Sequence, residues 1–185
     1  MRKLIASTWI TLDGIFDANS MGQWFNPYDS EERQNYIRDG ILAADAFLFG
    51  RTTYEMLFPY WSSLKNNEMG VAAKLNSAPK HIVSTTLKKA EWNNASIISD
   101  NIEAEIKKLK QQPGNEIQIE GSGELVRSLM KAGLIDEYRL LVHPVVMGSG
   151  KRFFEENTSF TSLELTETKQ IGKGVILLCY VPGNK

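Results

Sequence analysis

The stretch Ala46-Phe47-Leu48-Phe49-Gly50-Arg51-Thr52-Thr53-Tyr54 decides the fold. Its apolar residues follow one another without alternation, which suits a strand buried on both faces, as strands of parallel sheets are. Gly50 ends the run, and Arg51-Thr52-Thr53-Tyr54-Glu55-Met56 begins a helix that Pro59 is expected to interrupt. A buried strand feeding a helix through one glycine is the first half of a β-α unit.

The same alternation extends in both directions. Upstream, residues 3–15 read as a central strand broken by Asp13-Gly14, followed by a loop through Asn19, Gly22 and Pro27. Ser30 can cap a helix that continues through Glu31, Glu32 and Arg33, with Tyr36, Ile37, Ile41 and Leu42 as its apolar stripe. Downstream, a looser segment runs through Trp61 and Lys65, with further helix expected before Pro79. Residues 81–85 and 95–99 read as strands. Asp100 or Asn101 is expected to cap a helix with Ile102, Ile106 and Leu109 inward, stopped by Pro113-Gly114. Residues 116–120 alternate as a strand and meet Gly121-Ser122-Gly123, after which 124–132 is helical up to Gly133. Residues 138–146 read as one long strand in which Pro144 calls for a bend or an edge position. Residues 163–169 and 175–181 read as a hairpin around Gly172 and Gly174. This order requires a mostly parallel α/β sheet covered by helices, with antiparallel strands at its C-terminal edge. A single domain over residues 1–185 is expected, because no repeat or linker divides the sequence.

Composition narrows the function. Hydrophobic residues make up 42% and charged residues 23%, an ordinary balance for a globular domain. With 21 Lys and Arg against 22 Asp and Glu, the basic surplus of a nucleic-acid binder is missing. The one cysteine, Cys179, lies in an apolar run and reads as a small core residue. Asp13 arrives before a signal-peptide-length apolar region accumulates, and no apolar run approaches a membrane span, so a cytoplasmic protein is expected. His81 and His143 have no Cys or carboxylate beside them at ligand spacing, so no metal site is expected. Ser122 lacks the GxSxG setting of a hydrolase nucleophile.

Three features carry chemistry. At Gly50-Arg51-Thr52-Thr53 a glycine permits close approach, the first helical turn offers free N–H groups, and Arg51 adds a charged fork, which together suit a nucleotide phosphate. The same residues also make an ordinary glycine turn with a surface arginine. Gly121-Ser122-Gly123-Glu124 repeats the arrangement and could carry a diphosphate, although it is neither GxGxxG nor a GxxxxGK loop. Leu12-Asp13-Gly14 closes the first strand, where Asp13 could orient a substrate, assist proton transfer, or simply accept N–H groups of its own turn. Asp17 and Trp24 share the loop that follows and could line a substrate face.

Taken in order, Leu12-Asp13-Gly14, then Phe47-Leu48-Phe49-Gly50-Arg51-Thr52-Thr53-Tyr54, then Ile119-Glu120-Gly121-Ser122-Gly123 resemble the dihydrofolate reductase-like superfamily. The segment His143-Pro144-Val145-Val146-Met147-Gly148-Ser149-Gly150-Lys151-Arg152-Phe153-Phe154 is similar to the P-x-x-x-G-x-G stretch of the branch containing the reductase domain of bacterial riboflavin biosynthesis. The resemblance covers nearly the whole chain. It implies a three-layer α/β/α fold with NADPH held across the sheet. Gly50, Arg51, Thr52 and Thr53 would meet the adenosine-side phosphates, with Arg51 on the 2′-phosphate. Ser84 and Thr85 would meet the adenosine half, and Gly121, Ser122, Gly123 and Glu124 the diphosphate. Asp13 falls in the family's substrate-facing segment and is the catalytic candidate; Asp13, Asp17, Trp24, Met147 and Gly148 are the substrate-binding candidates. A homodimer through the C-terminal strands is also implied.

The implied activity is an NADPH-dependent reductase acting on a small heterocyclic or pyrimidine/ribityl-type substrate, resembling 5-amino-6-(5-phosphoribosylamino)uracil reductase. A nucleotide-binding protein without catalysis and a dihydrofolate reductase are the alternatives. Two departures bear on them. Dihydrofolate reductases carry an acid on the first long helix; Glu31, Glu32 and Asp39 occur near it here but none matches that place, so folate reduction is the less expected activity. Ile15-Phe16-Asp17 stands where the riboflavin reductase usually has a basic or polar residue, and the sequence holds no zinc-ligand set of a deaminase.

Overall fold

In the computed structural model, which describes residues 1–155, 158 and 160–183, Ala46–Gly50 form a strand, β2, buried at every position. Its side chains divide between two cores. Ala46 and Leu48 join Ile106, Leu109, Leu125 and Leu129 on one face. Phe47 and Phe49 join Ile41, Tyr54, Val71 and Leu75 on the other. Each fully buried Leu or Phe contributes roughly 1.5–3 kcal/mol, so both faces of this strand are committed to helices.

The other strands are β1 (Lys3–Thr11), β3 (Lys80–Val83), β4 (Ala95–Ile98), β5 (Glu116–Ile119), β6 (Glu137–His143), β7 (Leu163–Gln170) and β8 (Ile176–Pro182). Among the described residues they form one sheet in the order β4-β3-β2-β5-β1-β6-β8-β7. All neighbours from β4 to β6 are parallel, and β8 and then β7 add antiparallel. The helices are α1 (Met21–Trp24), α2 (Glu31–Ala43), α3 (Arg51–Ser63), α4 (Ala72–Ser77), α5 (Ile102–Gln111) and α6 (Gly123–Lys131). Residues of α2, α3 and α4 pack on one face and those of α5 and α6 on the other, which makes the three-layer α/β/α architecture. No helix among the described residues is long and apolar enough to cross a membrane.

Three local expectations change. Pro59 lies inside α3 and does not end it. The ring removes one hydrogen bond, but Tyr54 stacks on Phe58 at 5.4 Å and the Asn76 amide donates to the Trp61 carbonyl at 3.0 Å, so tertiary contacts carry the helix past it. The strand expected over 138–146 stops at His143, before the proline that has no N–H for the ladder, and β6 lies inside the sheet between β1 and β8. Asn101 holds the N-cap of α5 at φ 45°, yet its side chain makes no capping bond. Ser30 does cap α2, accepting from the Arg33 amide at 3.2 Å.

The parallel strands point one way. Their carboxyl ends therefore gather Gly50 and residues 120–123, 11–16 and 143–148 along a single edge of the sheet, where ligands of open α/β sheets bind.

Candidate active site

The two glycine junctions touch. β2 and β5 are neighbours, and the Gly50 amide donates to the Gly121 carbonyl at 2.9 Å. A Cβ on Gly50 would stand 2.7 Å from Ser122 Oγ, and one on Gly121 would stand 3.1 Å from Thr53 Oγ1. Gly121 also has φ +118°, a backbone that side chains rarely adopt, and its peptide to Ser122 is cis. Glycine is therefore what lets the first turns of α3 and α6 lie side by side. Gly50 caps α3 without a side-chain bond, and Ser122 caps α6 by accepting from the Leu125 amide at 3.5 Å. Arg51, Thr52 and Glu124 are exposed at these helix starts, whereas Thr53 is buried against Gly121. Arg51 makes a loose 3.5 Å pair with Glu55, both half exposed, and so stays available to an anion. One strand over, buried Ser84 accepts from the Thr86 and Leu87 amides, holding the turn that leaves Thr85 exposed.

Beside this pair lies the loop after β1. Asp13 Oδ1 accepts from the Thr11 hydroxyl at 2.6 Å and the Met147 amide at 3.2 Å, and Oδ2 accepts from the Gly148 amide at 2.8 Å. The Thr11 hydroxyl above all, then those amides, hold its carboxyl at about 2 against desolvation. Asp13 is thus an ionised tie between the β1 loop and the Met147-Gly148 turn, and a carboxyl held that low has no proton to donate near neutral pH. Arg152 reinforces the tie by donating to the Asp13 carbonyl at 2.6 Å. Phe16 reaches Gly123 and Gly121 from the same loop and packs its edge on Phe153 at 5.5 Å.

Trp24 differs from expectation, while Asp17 stays partly exposed and holds its own turn. The Asp17 carboxylate accepts from the Asn19 amide at 3.0 Å and caps a short turn. Trp24 is 1% exposed, and its indole N–H donates to Ser20 Oγ at 3.1 Å. It supports the loop from beneath, because its ring has been drawn into the core with its polar atom satisfied, and it offers no face to a ligand.

A residue outside the expected set, Glu120, carries a carboxyl that burial raises. In β5 and the position after it, Glu116, Gln118 and Glu120 alternate with Ile117 and Ile119 and turn toward α2. Together with Ser7, Trp9, Tyr36, Ile37, Gly40 and Arg139, Gln118 and Glu120 line a cavity of about 20 Å³, room for one water. Burial pushes the Glu120 carboxyl up to about 7, although the Gln118 amide, donating at 2.6 Å, pulls the other way. Arg139 in the same wall is matched by Glu137 at 2.6 Å and Glu116 at 3.2 Å. The acids of the first long helix lie outside the lining of this cavity. Glu31, Glu32 and Asp39 are exposed, with Glu32 bound to the Gly172 amide and Asp39 to Arg38. The signal for Glu120 was present in the sequence: a polar face on a strand with a buried setting, ending one residue before the glycine turn. Among the described residues no group of three or more His, Cys, Asp or Glu side chains gathers where a metal ion could sit.

Known proteins fit this geometry. Residues 2–177 match the family model described as the RibD C-terminal domain. The uncharacterised protein YyaP of Bacillus subtilis is 30% identical over 184 residues, covering 97% of this chain and 94% of its own. A pyrimidine reductase-like protein from Corynebacterium diphtheriae superimposes with a TM-score of 0.69 at 14% identity, covering 100% of this chain and 93% of its own. Dihydrofolate reductase from Enterococcus faecalis, complexed with NADP(H) and RAB-propyl, gives a TM-score of 0.61 at 12% identity, covering 98% of this chain and 97% of its own. At these identities the two structures speak for the fold.

Proposed function

The chain belongs to the RibD C-terminal domain family, and from that premise we propose that it is an NADPH-dependent reductase of a small heterocyclic substrate of the pyrimidine/ribityl type. The activity would resemble that of 5-amino-6-(5-phosphoribosylamino)uracil reductase. The observation that carries the reading is the contact between the glycine junctions after β2 and β5, which sets two helix N-termini next to each other. Each presents backbone donors and a positive dipole end to an anion, and a dinucleotide carries its negative charges in that kind of cluster.

In this reading the amides of Gly121, Ser122, Gly123 and Glu124 hold the diphosphate, and Glu124 contributes its backbone while its carboxylate faces solvent. Gly50, Thr52 and Thr53 line the adenosine side, Arg51 meets the 2′-phosphate, and Thr85 lies beyond them with Ser84 shaping its turn. When bound, the nicotinamide supplies a hydride. The chain's own part is to seat the acceptor and to hold a proton. Exposed Leu12 and Val146 offer apolar surface beside the turn that Asp13 ties to Met147 and Gly148, and this wall would receive a flat ring. The cavity that holds Glu120 is too small for a ring, so in this reading the substrate lies outside it. Gln118 donates to Glu120 Oε1, which leaves the acid proton on Oε2, and one water in the cavity relays it to the reduced C=N or C=O. The homodimer belongs to the same reading: β7, the outermost strand, is exposed at every position but its first.

Titrating NADPH and NADH against the wild type and Arg51→Ala tests the assignment. NADPH affinity is expected to fall about tenfold in the variant with NADH unmoved, the value of one charge-assisted fork. A wild type that binds neither nucleotide would sink the proposal.

A further inference from the structure

Thr11 and His143, the last residues of β1 and β6, are register partners, so the imidazole stands beside the threonine that holds Asp13. His143 is fully buried. Its Nδ1 lies 3.3 Å from the Ile10 carbonyl oxygen and 3.2 Å from that of Leu141. Both oxygens can only accept, so Nδ1 carries the hydrogen. Nε2 is then a bare acceptor, and an Arg33 guanidinium nitrogen stands 3.1 Å away to donate to it. The same nitrogen donates to the Phe25 carbonyl at 2.7 Å, and the other terminal one to Asp29 at 2.9 Å. The guanidinium also lies 3.9 Å from the centre of the Phe25 ring. Trp24, Phe25 and Tyr28 close around the imidazole at centroid distances of 5.3, 5.3 and 6.0 Å. Among the described residues, the one contact between polar side chains at this packed junction of sheet and loop is that of imidazole and guanidinium, beside the Trp9–Phe25 ring pair at 4.8 Å.

We propose that the neutral His143–Arg33 pair is a positioning device: it seats the loop of residues 17–29 beside the substrate site, and a proton added to His143 unseats it. The consequence for catalysis rests on the reductase reading; the seating of the loop does not. Protonation would turn Nε2 from an acceptor into a donor facing a second cation inside the protein, where the repulsion is weakly screened. The ionisable groups around the pair are Asp29 on the far side of Arg33, Lys173 near Asp29, and the Tyr28 phenol. Burial foremost, with the Arg33 charge, pushes the His143 pKa down, while its bonds to backbone carbonyls pull it up. With the folded value below the unfolded one, the contribution of His143 to stability is full above the unfolded value and is lost as pH falls through the lowered one.

The test is amide hydrogen exchange on the full chain at about pH 7.5 and about pH 5.5, corrected for intrinsic rates, in wild type, His143→Gln and His143→Leu. Peptides from residues 17–29 of the wild type are expected to exchange about tenfold faster on acidification while α6 keeps its protection. His143→Gln presents an amide oxygen to Arg33 at either pH, so its exchange should show no such acid dependence; His143→Leu should exchange fast at both. Equal acceleration in wild type and His143→Gln would overturn the proposal, and that pair decides it if His143→Leu fails to fold. In turnover, acid should raise the wild-type substrate KM and leave NADPH affinity in place. A protein that shows the exchange pattern yet consumes no NADPH would overturn the reductase reading alone.

Discussion

The two halves of the site are built from different materials. At the ends of β2 and β5 the working groups are backbone amides, and the residues there matter for what they lack: Gly50 and Gly121 leave room for two helix starts to touch. At the ends of β1 and β6 the working groups are side chains from distant positions: Thr11 and Arg152 bind Asp13, which holds the Met147-Gly148 turn, and Arg33 separately binds His143. Backbone recognition suits a cofactor shared by many proteins, because any sequence with the right turn makes it. Side-chain recognition suits a substrate, because each group can change separately.

That contrast can be broken most severely at Gly121. Gly121→Val puts a branched side chain at φ +118° against Thr53 and should weaken NADPH binding at least about a hundredfold, with ~1–3 kcal/mol lost from folding. A variant that binds NADPH as the wild type does would refute the backbone cradle.

Glu120→Gln should lower turnover about a hundredfold while changing NADPH affinity less than about twofold. The protonated carboxyl is the working form, so wild-type turnover should fall as pH rises through about 7, and the variant should lose that limb. The stability sign is opposite to that of a paired carboxylate. The folded value stands above the unfolded one, so the contribution is full below the unfolded value and is lost as pH rises through about 7. Glu120→Gln should then melt higher than the wild type at alkaline pH, by ~3 kcal/mol at most. A thermal melt series across pH reads this directly.

The smallest effect is expected at Asp13. Asp13→Asn keeps one acceptor for the turn and should cost about tenfold in kcat/KM with cofactor affinity unmoved. Equal losses in both would place Asp13 with the cofactor and blur the division between the halves.

How far the sequence could be read follows the same line. The buried run before Gly50, the alternation at 116–120 and the paired glycine turns all announced themselves, because strand burial and helix starts are set by residues near one another in the chain. Ser30 capping α2 was legible for that reason, and Asn101 takes the N-cap of α5 as its place before Ile102 suggests, though without a side-chain bond. Trp24 looked like a substrate wall and is buried against His143, a residue far along the chain. The face that carries Glu120 is visible in the sequence, but the burial that raises its carboxyl comes from segments far along the chain.

Local patterning alone therefore determined the α/β order, the parallel centre, the antiparallel C-terminal strands and the two anion-ready turns, because period, capping and glycine act over a few residues. Only the tertiary structure decided which carboxyl burial raises, which aspartate is tied down and which histidine accepts from an arginine. Desolvation and hydrogen-bond partners come from chain segments that meet only after folding, and they set the charge of each group.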